Sequence, residues 1–375
     1  MSLGYAMYDA DNHLYETLDA FTRHLPGDRR RDVRWMTDER GHRCLVIDRQ
    51  LYDYIPNPTF DPVAVAGALD RRMVEPIATR PEYRDRDARL ARFDEQGIEA
   101  SLLFPTLING LEEIIEGNIA LYADLMWAYD RWLEEEWGFA YQGRIYAVPM
   151  IPLGDPAEAV RMLEWVQSHG ARAVMVPSGS VLTAFGRRSP ADAMFDAFWA
   201  RCAEAHTIVC AHASASGYNR YSGDLTGHYT SRPFENHTLD NLINRGRSTS
   251  DFFAVMVWQG ALSRFPTLRL LSVENGSDWV GSLLARFKRF YRPGELAEDP
   301  VDVFHRCVTI TPHWEDALSD LVQQVPVDNV VAGSDWPHYD ALPEPTDFAK
   351  YLVGFGDVEV RKVMRDNLRA LLEPA

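Results

Sequence analysis

Short apolar runs alternate with longer amphipathic segments along most of the chain. Eight of these runs have the length and composition of buried strands. They cover residues 6–13, 100–106, 145–153, 171–177, 207–213, 268–274, 307–311 and 329–335. Strands that alternate with helices indicate an α/β protein with a parallel sheet. Eight of them favour a (β/α)8 TIM barrel, although the pattern also permits an open doubly wound sheet.

Proline and glycine mark several of the intervening helices. Asp155 followed by Pro156 predicts a helix start, and Gly170 predicts its end. The dipeptides Ser189-Pro190 and Thr311-Pro312 predict two further starts in the same way. A long amphipathic pattern over residues 111–137 predicts one extended helical stretch.

Two segments interrupt the alternation of strands and helices. Residues 17–96 separate the first two strands and contain a possible hairpin around residues 39–42 and a loop over 52–62, so we expect an insertion packed on the barrel. Residues 214–250 follow the fifth strand as a polar loop, and such loops usually line barrel active sites. The interpretation is therefore a single domain, 1–375, with these two elaborations.

The composition adds nothing to the predicted fold, but it disfavours several classes of partner and location. With 38 basic and 55 acidic residues the formal net charge is −17, which disfavours nucleic acid and anionic lipid as partners. No apolar stretch approaches the roughly 18 residues that span a membrane. No secretory signal precedes the first strand, and the four cysteines lack CxxC spacing. A cytoplasmic protein with reduced cysteines is the expectation.

Polar residues end three of the predicted strands. In a parallel barrel the reacting groups lie at these carboxyl ends. Asp9, Asp11 and His13 alternate along strand 1 and should share a face, His212 ends strand 5, and Asp335 ends strand 8. Each alone also has a structural interpretation, as a turn, a cap or a core histidine. Together, Asp11, His13, His212 and Asp335 predict a site for one divalent cation, Zn²⁺ or Mn²⁺.

Four motifs at these strand ends resemble a known family. They are Asp-Ala-Asp-Asn-His at 9–13, Ala-His-Ala-Ser at 211–214, the pair Arg-Phe-Pro-Thr-Leu-Arg-Leu and Val-Glu-Asn-Gly-Ser-Asp-Trp within 264–279, and Gly-Ser-Asp-Trp-Pro-His at 333–338. In this order they resemble the amidohydrolase superfamily, in the branch of aminocarboxymuconate-semialdehyde decarboxylase and the hydroxybenzoate decarboxylases. The resemblance covers nearly the whole chain and implies a metal-dependent barrel enzyme.

The sequence departs from that family pattern at two positions. Asp11 stands where several relatives have His or Glu, which leaves its role as a direct ligand open. Glu274 stands where some relatives carry a catalytic His, so it is either an acid or base beside the metal or a hydrogen-bond partner of the loop above. Strand 4, at 171–177, has no lysine, whereas many two-metal hydrolases of the superfamily carry a carboxylated lysine there. This absence favours a mononuclear site.

Further residues are candidates for the pocket. His237 would orient substrate or shuttle a proton, or else cap a surface helix. His338 would lie at the rim, and the aromatic walls would come from Trp336, Phe104 and Trp279. Arg232 and Arg220 would pair with a substrate carboxylate, unless they are ordinary surface arginines.

The leading functional hypothesis is a non-oxidative decarboxylase of a small aromatic or conjugated carboxylic acid, with Asp335 as proton donor to carbon. The same ligands suit a hydrolase of an amide, ester, lactone or vinylogous carbonyl compound, in which the metal activates water. A non-catalytic barrel that binds a ligand is a third hypothesis. Because relatives are often dimers, the resemblance also predicts a homodimer.

Overall fold

The computed structural model of the protein describes residues 3–37, 39, 43–52, 80–108, 111–115, 117–213, 217–227, 238–244, 246–338 and 341–373. Within them, the central strands form two parallel sheets. The first has the order β1-β5-β6, with β1 Met7–Leu14, β5 Ile98–Pro105 and β6 Ile145–Ala147. The second has the order β12-β11-β10-β7, with β7 Ala173–Met175, β10 Ile208–His212, β11 Arg269–Val273 and β12 Val308–Ile310.

The segment 330–336 lies between β12 and β1. Val330 forms a parallel bridge with Ile310, and Trp336 forms one with Asn12. On the other side, a bridge between Met150 and Met175 links the residues after β6 to β7. The predicted eighth strand is thus an extended segment with isolated bridges rather than a continuous ladder. The φ angle of Asp335, 57°, interrupts its extended backbone.

Two small antiparallel sheets accompany the parallel ones. β2 Val33–Thr37 pairs with β3 Arg43–Ile47, which pairs with β4 Gln50–Tyr52. This pairing agrees with the hairpin predicted around 39–42, whose residues 40–42 lie outside the described residues, as do residues 53–62 of the predicted loop. The second sheet is a hairpin of β8 Val181–Thr183 and β9 Gly186–Arg188.

The helices surround the parallel strands and connect them. In chain order they are α1 Arg86–Gln96, α2 Leu111–Ile115, α3 Ile119–Glu136, α4 Pro156–Ser168, α5 Asp196–Glu204, α6 Tyr218–Thr226, α7 Thr238–Asn244, α8 Arg247–Trp258, α9 Ala261–Arg264, α10 Asp278–Phe290, α11 Pro300–Cys307, α12 Leu318–Leu321, α13 Asp357–Arg361 and α14 Asn367–Leu372. A π-helical turn, Lys362–Asp366, joins the last two. None of the helices that the structure describes is long and apolar enough to cross a membrane.

The structure confirms one of the helix starts predicted from proline and places another later in the chain. α4 begins at Pro156, and the Asp155 carboxylate caps it by accepting hydrogen bonds from two backbone N–H groups, which confirms that prediction. α5 begins only at Asp196, after a 3₁₀ turn at Ala193–Phe195. The stretch 111–137 is divided between α2 and α3.

The helix predicted to begin at Thr311-Pro312 is wrong, since α12 starts only at Leu318. The Thr311 hydroxyl instead donates to the Ser272 carbonyl (2.9 Å) and accepts from the Glu274 N–H (3.1 Å). Tertiary hydrogen bonds at the end of the neighbouring β11 therefore hold Thr311 in place of a helix cap.

Two buried carboxyl groups lie where α3 packs against the strand ends. Glu16 Oε1 accepts hydrogen bonds from the Leu107 N–H (2.9 Å) and the Tyr129 hydroxyl (3.5 Å). Asp130 Oδ1 accepts one from the Met150 N–H (3.1 Å). Burial raises the pKa of Glu16 to about 7 and the pKa of Asp130 well above its ordinary value. The folded chain therefore favours the neutral form of both.

We expect the Glu16→Gln variant to lose part of the pH dependence of stability. The Glu16 pKa is about 7 when folded against an ordinary value of 4.5, so its stabilising contribution is complete below pH 4.5 and is lost as the pH rises through 7. The shift corresponds to about 3 kcal/mol. Glutamine keeps an oxygen for the Leu107 N–H without a charge, so the variant should be more stable than wild type at pH 8.

The free energy of unfolding, from urea titrations at pH 5 and pH 8, measures this difference. The exposed Glu295→Gln variant is the matched control and should follow the wild type. An unchanged pH dependence in Glu16→Gln would contradict the assignment.

Candidate metal centre

The end of β1 supplies two neighbouring polar side chains to the centre of the fold. Asp11 Oδ1 lies 3.3 Å from His13 Nε2. The prediction that Asp9 shares a face with Asp11 and His13 is wrong, because the pairing of β1 with β5 shifts register between Asp9 and Asn12. The Asp9 carboxylate instead accepts hydrogen bonds from the Ser334 N–H (2.9 Å) and hydroxyl (2.6 Å). Asp9 thereby binds the segment 330–336 to β1.

Four side chains from three strand ends form one compact group. Asp11, His13, His212 and Glu274 each offer a ligand atom, and these atoms all lie within 4.8 Å of one another. His212 Nε2 is 3.7 Å from Asp11 Oδ1 and 3.4 Å from Glu274 Oε2. The sequence predicted the first three as ligands together with Asp335, which the structure places in a neighbouring group and whose role as a ligand stays a prediction. The structure adds Glu274, which was predicted to act beside the metal or to support a loop.

Backbone carbonyls fix the orientation of both imidazole rings. Nδ1 of His13 lies 3.1 Å from the Pro105 carbonyl, and Nδ1 of His212 lies 3.2 Å from the Ala213 carbonyl. A carbonyl only accepts, so each Nδ1 donates and each Nε2 faces the carboxylates, where it could bind a metal in place of a proton. Metal-binding histidines usually have this arrangement, with the second ring nitrogen bonded outside the site.

The charges and unsatisfied atoms of the group fit a cation. Asp11 Oδ1 and His13 Nε2 are buried and make no hydrogen bond within the described ranges. Burial lowers the pKa of His13, but the Asp11 and Asp335 carboxylates outweigh it and raise that pKa to about 10. The carboxylates thus attract positive charge to this point. Imidazole and carboxylate donors suit Zn²⁺ or Mn²⁺, so the residues present fit a divalent metal.

Asp335 lies beside this group and forms a second one with His13 and His338. Its Oδ1 is 3.2 Å from His13 Nε2 and 2.7 Å from His338 Nδ1. Burial raises the pKa of Asp335, but the two histidines outweigh it and hold the pKa well below its usual range. The backbone is strained at this carboxylate and at Glu274, which have φ angles of 57° and 55°. Strained backbone at two adjoining polar side chains is typical of a functional site.

A model of the amidohydrolase family, Amidohydro_2, matches residues 8–373. The chain belongs to the amidohydrolase family. This confirms the family predicted from the strand-end motifs, and the match spans all four of them. No curated protein matches the sequence of this amidohydrolase.

Several solved structures are similar to this amidohydrolase. An amidohydrolase from Mycobacterium avium subsp. paratuberculosis K-10 is 37% identical with a TM-score of 0.91, covering 99% of this chain and 100% of that one. Two similar structures have low identity. A dihydroxybenzoic acid decarboxylase from Polaromonas sp. JS666, with bound manganese and 2-nitroresorcinol, has 14% identity and a TM-score of 0.60, covering 98% and 97%. The 5-carboxyvanillate decarboxylase from Sphingomonas paucimobilis has 16% identity and a TM-score of 0.63, and the match covers 98% of each chain. The last two show a shared fold.

The structure places the other predicted pocket residues of the amidohydrolase differently. The buried Phe104 ring lies 4.8 Å from the His212 ring and forms a wall of the centre. Trp336 packs among Tyr15 and Tyr83, and Trp279 stacks on the Phe253 ring, so both rings pack against aromatic side chains outside the ligand group. Arg220 is exposed on α6. His237 and Arg232 lie outside the described residues, and their roles stay predictions.

Sequence reasoning missed Arg89, which is fully buried beneath the centre. Its guanidinium donates to the His13 carbonyl (2.8 Å), the Glu82 carbonyl (2.6 Å) and the Asn12 side chain. It therefore holds the backbone of a candidate ligand. The available signal was its position in α1, one turn before the buried Phe93 and next to the buried Leu90, where an arginine is unusual.

Gly333 allows the segment 330–336 to approach Asp11 closely. A Cβ atom at this position would lie 2.7 Å from the Asp11 Cβ and 3.5 Å from the Thr311 Cβ. The contact with the Asp11 Cβ is far shorter than van der Waals distance, so a larger residue would displace a candidate ligand.

The Gly333→Ala variant should therefore bind metal about tenfold or more weakly, the size of effect seen when groups supporting a ligand change. Competition with a chelating dye measures the affinity. Gly27→Ala is the control, because a Cβ there meets nothing within 4 Å. Equal metal affinity in Gly333→Ala and wild type would show that Asp11 is not a ligand or that the contact relaxes without cost.

Proposed function

We propose that this amidohydrolase is a metal-dependent, non-oxidative decarboxylase of a small aromatic or conjugated carboxylic acid. We further propose that its two parallel sheets and segment 330–336 form one (β/α)8 barrel, with a single Zn²⁺ or Mn²⁺ held by Asp11, His13, His212 and Glu274. Two proteins of similar fold are decarboxylases named for aromatic acids, and one of them contains manganese, which supports both parts of the proposal.

The observation that carries the proposal is a carboxyl group beside the ligand group but outside it. Asp335 contacts His13 and His338 through Oδ1, while its Oδ2 makes no hydrogen bond with the residues that the structure describes. The side chain keeps 15% of its surface exposed. Asp335 is thus available to move a proton to or from a substrate bound at the metal.

The low pKa of Asp335 indicates where its proton comes from. Because His13 and His338 hold the carboxylate ionised, Asp335 carries no proton when the substrate arrives. A substrate hydroxyl group next to the carboxylate, which a bound metal would make more acidic, gives its proton to Asp335. Asp335 then gives this proton to the carbon that bears the carboxylate. The carbon–carbon bond breaks, carbon dioxide leaves, and the bonding electrons restore the conjugated system. Solvent supplies the proton that the product oxygen takes up on release.

The other residues of the site bind and orient the substrate. The metal, when bound, supplies Lewis-acid attraction for the carboxylate and a neighbouring oxygen. The Phe104 ring beside His212 offers an apolar wall to a planar substrate. The small-molecule acid as partner and the homodimer stay part of the proposal.

Metal-loaded protein should release carbon dioxide from at least one acid in a panel of hydroxybenzoates and aminocarboxymuconate-like acids. The measurement is carbon dioxide evolution with Zn²⁺- and Mn²⁺-reconstituted protein, with chelator-treated protein as the control. Turnover of lactones or esters, without carbon dioxide from any acid, would establish the hydrolase instead.

Replacing Asp335 by Asn should lower turnover by about 100-fold or more while the metal stays bound by the other four side chains. Asparagine keeps the shape of the carboxyl group but cannot transfer the proton. Metal content and turnover are measured on the same preparation. The exposed Asp302→Asn variant controls for loss of charge and should keep wild-type turnover. If Asp335→Asn retains more than about a tenth of the activity, the proton passes through another group.

A further inference from the structure

A chain of three side-chain and backbone groups extends from Asp335 to the end of β1. His338 Nδ1 lies 2.7 Å from Asp335 Oδ1, and His338 Nε2 lies 3.2 Å from Thr106 Oγ1. The Thr106 hydroxyl in turn donates to the Leu14 carbonyl at 2.7 Å. His338 was predicted at the rim of the pocket. It is buried, and Thr106 at the end of β5 was not singled out from the sequence at all.

The direction of these hydrogen bonds follows from counting hydrogens. A threonine hydroxyl carries one hydrogen, and Thr106 gives it to the Leu14 carbonyl. At the contact with His338 the hydroxyl oxygen is therefore the acceptor, and His338 Nε2 carries the donated hydrogen. Nδ1 of the same ring then faces Asp335 Oδ1. With Nε2 held by the Thr106 hydroxyl, Nδ1 is the ring nitrogen that meets the carboxyl group.

Packing holds the His338 ring in this position as well. Its centroid lies 4.0 Å from that of the His13 ring, at an interplanar angle of 34°. Its backbone N–H donates to the Asp335 carbonyl at 2.9 Å, which sets the turn that brings the two side chains together. Ring, turn and hydroxyl together constrain Asp335 through Oδ1, which contacts both rings, and Oδ2 takes no part in these contacts.

We propose that Thr106 and His338 are positioning residues that hold the Asp335 carboxyl group with Oδ2 toward the substrate. Neither side chain touches the reacting atoms; they act through Asp335. The inference rests on the proposed function only in taking Asp335 as the group that moves the proton. It adds that the strand end of β5, which contributes no candidate metal ligand, sets the geometry of the reaction.

The first test reads the ring nitrogens of His338 directly and needs no substrate. Histidine-selective ¹⁵N labelling of chelator-treated protein, with the His338 signals assigned through the His338→Gln variant, shows which nitrogens carry hydrogen. We expect a hydrogen on Nε2 in wild type and in Thr106→Ser, and a changed Nε2 signal in Thr106→Val, which has the same shape without the hydroxyl. A neutral ring protonated on Nδ1 alone would overturn the proposal.

The second test separates positioning from mere structural support. Thr106→Val should lower kcat about tenfold, with KM and metal affinity within about twofold of wild type, and Thr106→Ser should restore kcat. Thr183→Val is the matched control, because Thr183 is equally buried and also donates to a backbone carbonyl, that of Gly186 at 2.8 Å. Wild-type kcat in Thr106→Val, or a parallel loss of metal affinity and kcat, would overturn the proposal.

The two tests distinguish this inference from the proposed function. If no acid releases carbon dioxide but the His338 signals follow the expected pattern, the decarboxylase proposal fails and the hydrogen-bond chain stands. If carbon dioxide is released and the His338 ring is protonated on Nδ1 alone, the decarboxylase proposal stands and the positioning role of Thr106 and His338 fails.

Discussion

The buried carboxylate of Asp9 is the constraint on which the metal centre depends. It accepts four hydrogen bonds, from the Asp11 N–H (3.2 Å), the Asn12 side chain (3.1 Å) and both the N–H and hydroxyl of Ser334. The first two shape the irregular end of β1, and the last two attach segment 330–336 to it. Asp9 does not reach the metal position itself. It determines where Asp11, His13 and Asp335 are.

A second layer of support lies below this carboxylate. The Asn12 side chain, which donates to Asp9, accepts a hydrogen bond from Arg89. Arg89 also donates to the His13 carbonyl, and its guanidinium lies 4.8 Å from the centre of the Trp336 ring. The arginine belongs to α1, the helix that precedes β5. A buried arginine is tolerated here because its donors meet carbonyl and amide oxygens and its flat face packs on an aromatic ring. Helix, strand and closing segment are thereby held in one arrangement.

Electrostatics explains why such rigid support is needed. Asp11, Glu274 and Asp335 are three carboxyl groups collected around two imidazole rings in a largely buried space. Their mutual repulsion is offset only in part by the two histidines, and the positive backbone φ angles at Glu274 and Asp335 add strain. The surrounding hydrogen bonds hold these groups together in advance. In the proposed function, a divalent cation would complete the charge balance, and Asp335 would keep one oxygen for the substrate.

The sequence by itself indicated the parallel strands and the family, and it singled out most residues of the candidate site. Alternating polar residues at strand ends were enough to select Asp11, His13, His212 and Asp335, because parallel strands place their carboxyl ends on one side of the sheet. Local signals also located α4, where Asp155 and Pro156 act within a single turn.

Only the tertiary structure decided which of these side chains meet. Asp9 and Asp11 have the same spacing as Asp11 and His13, yet a register shift in β1 sends Asp9 toward Ser334. Glu274 enters the ligand group through a positive φ angle, and His338 turns inward because Thr106, 232 residues away in sequence, accepts its hydrogen bond. Register shifts, strained backbone and long-range hydrogen bonds depend on packing between distant segments, and no local pattern records them.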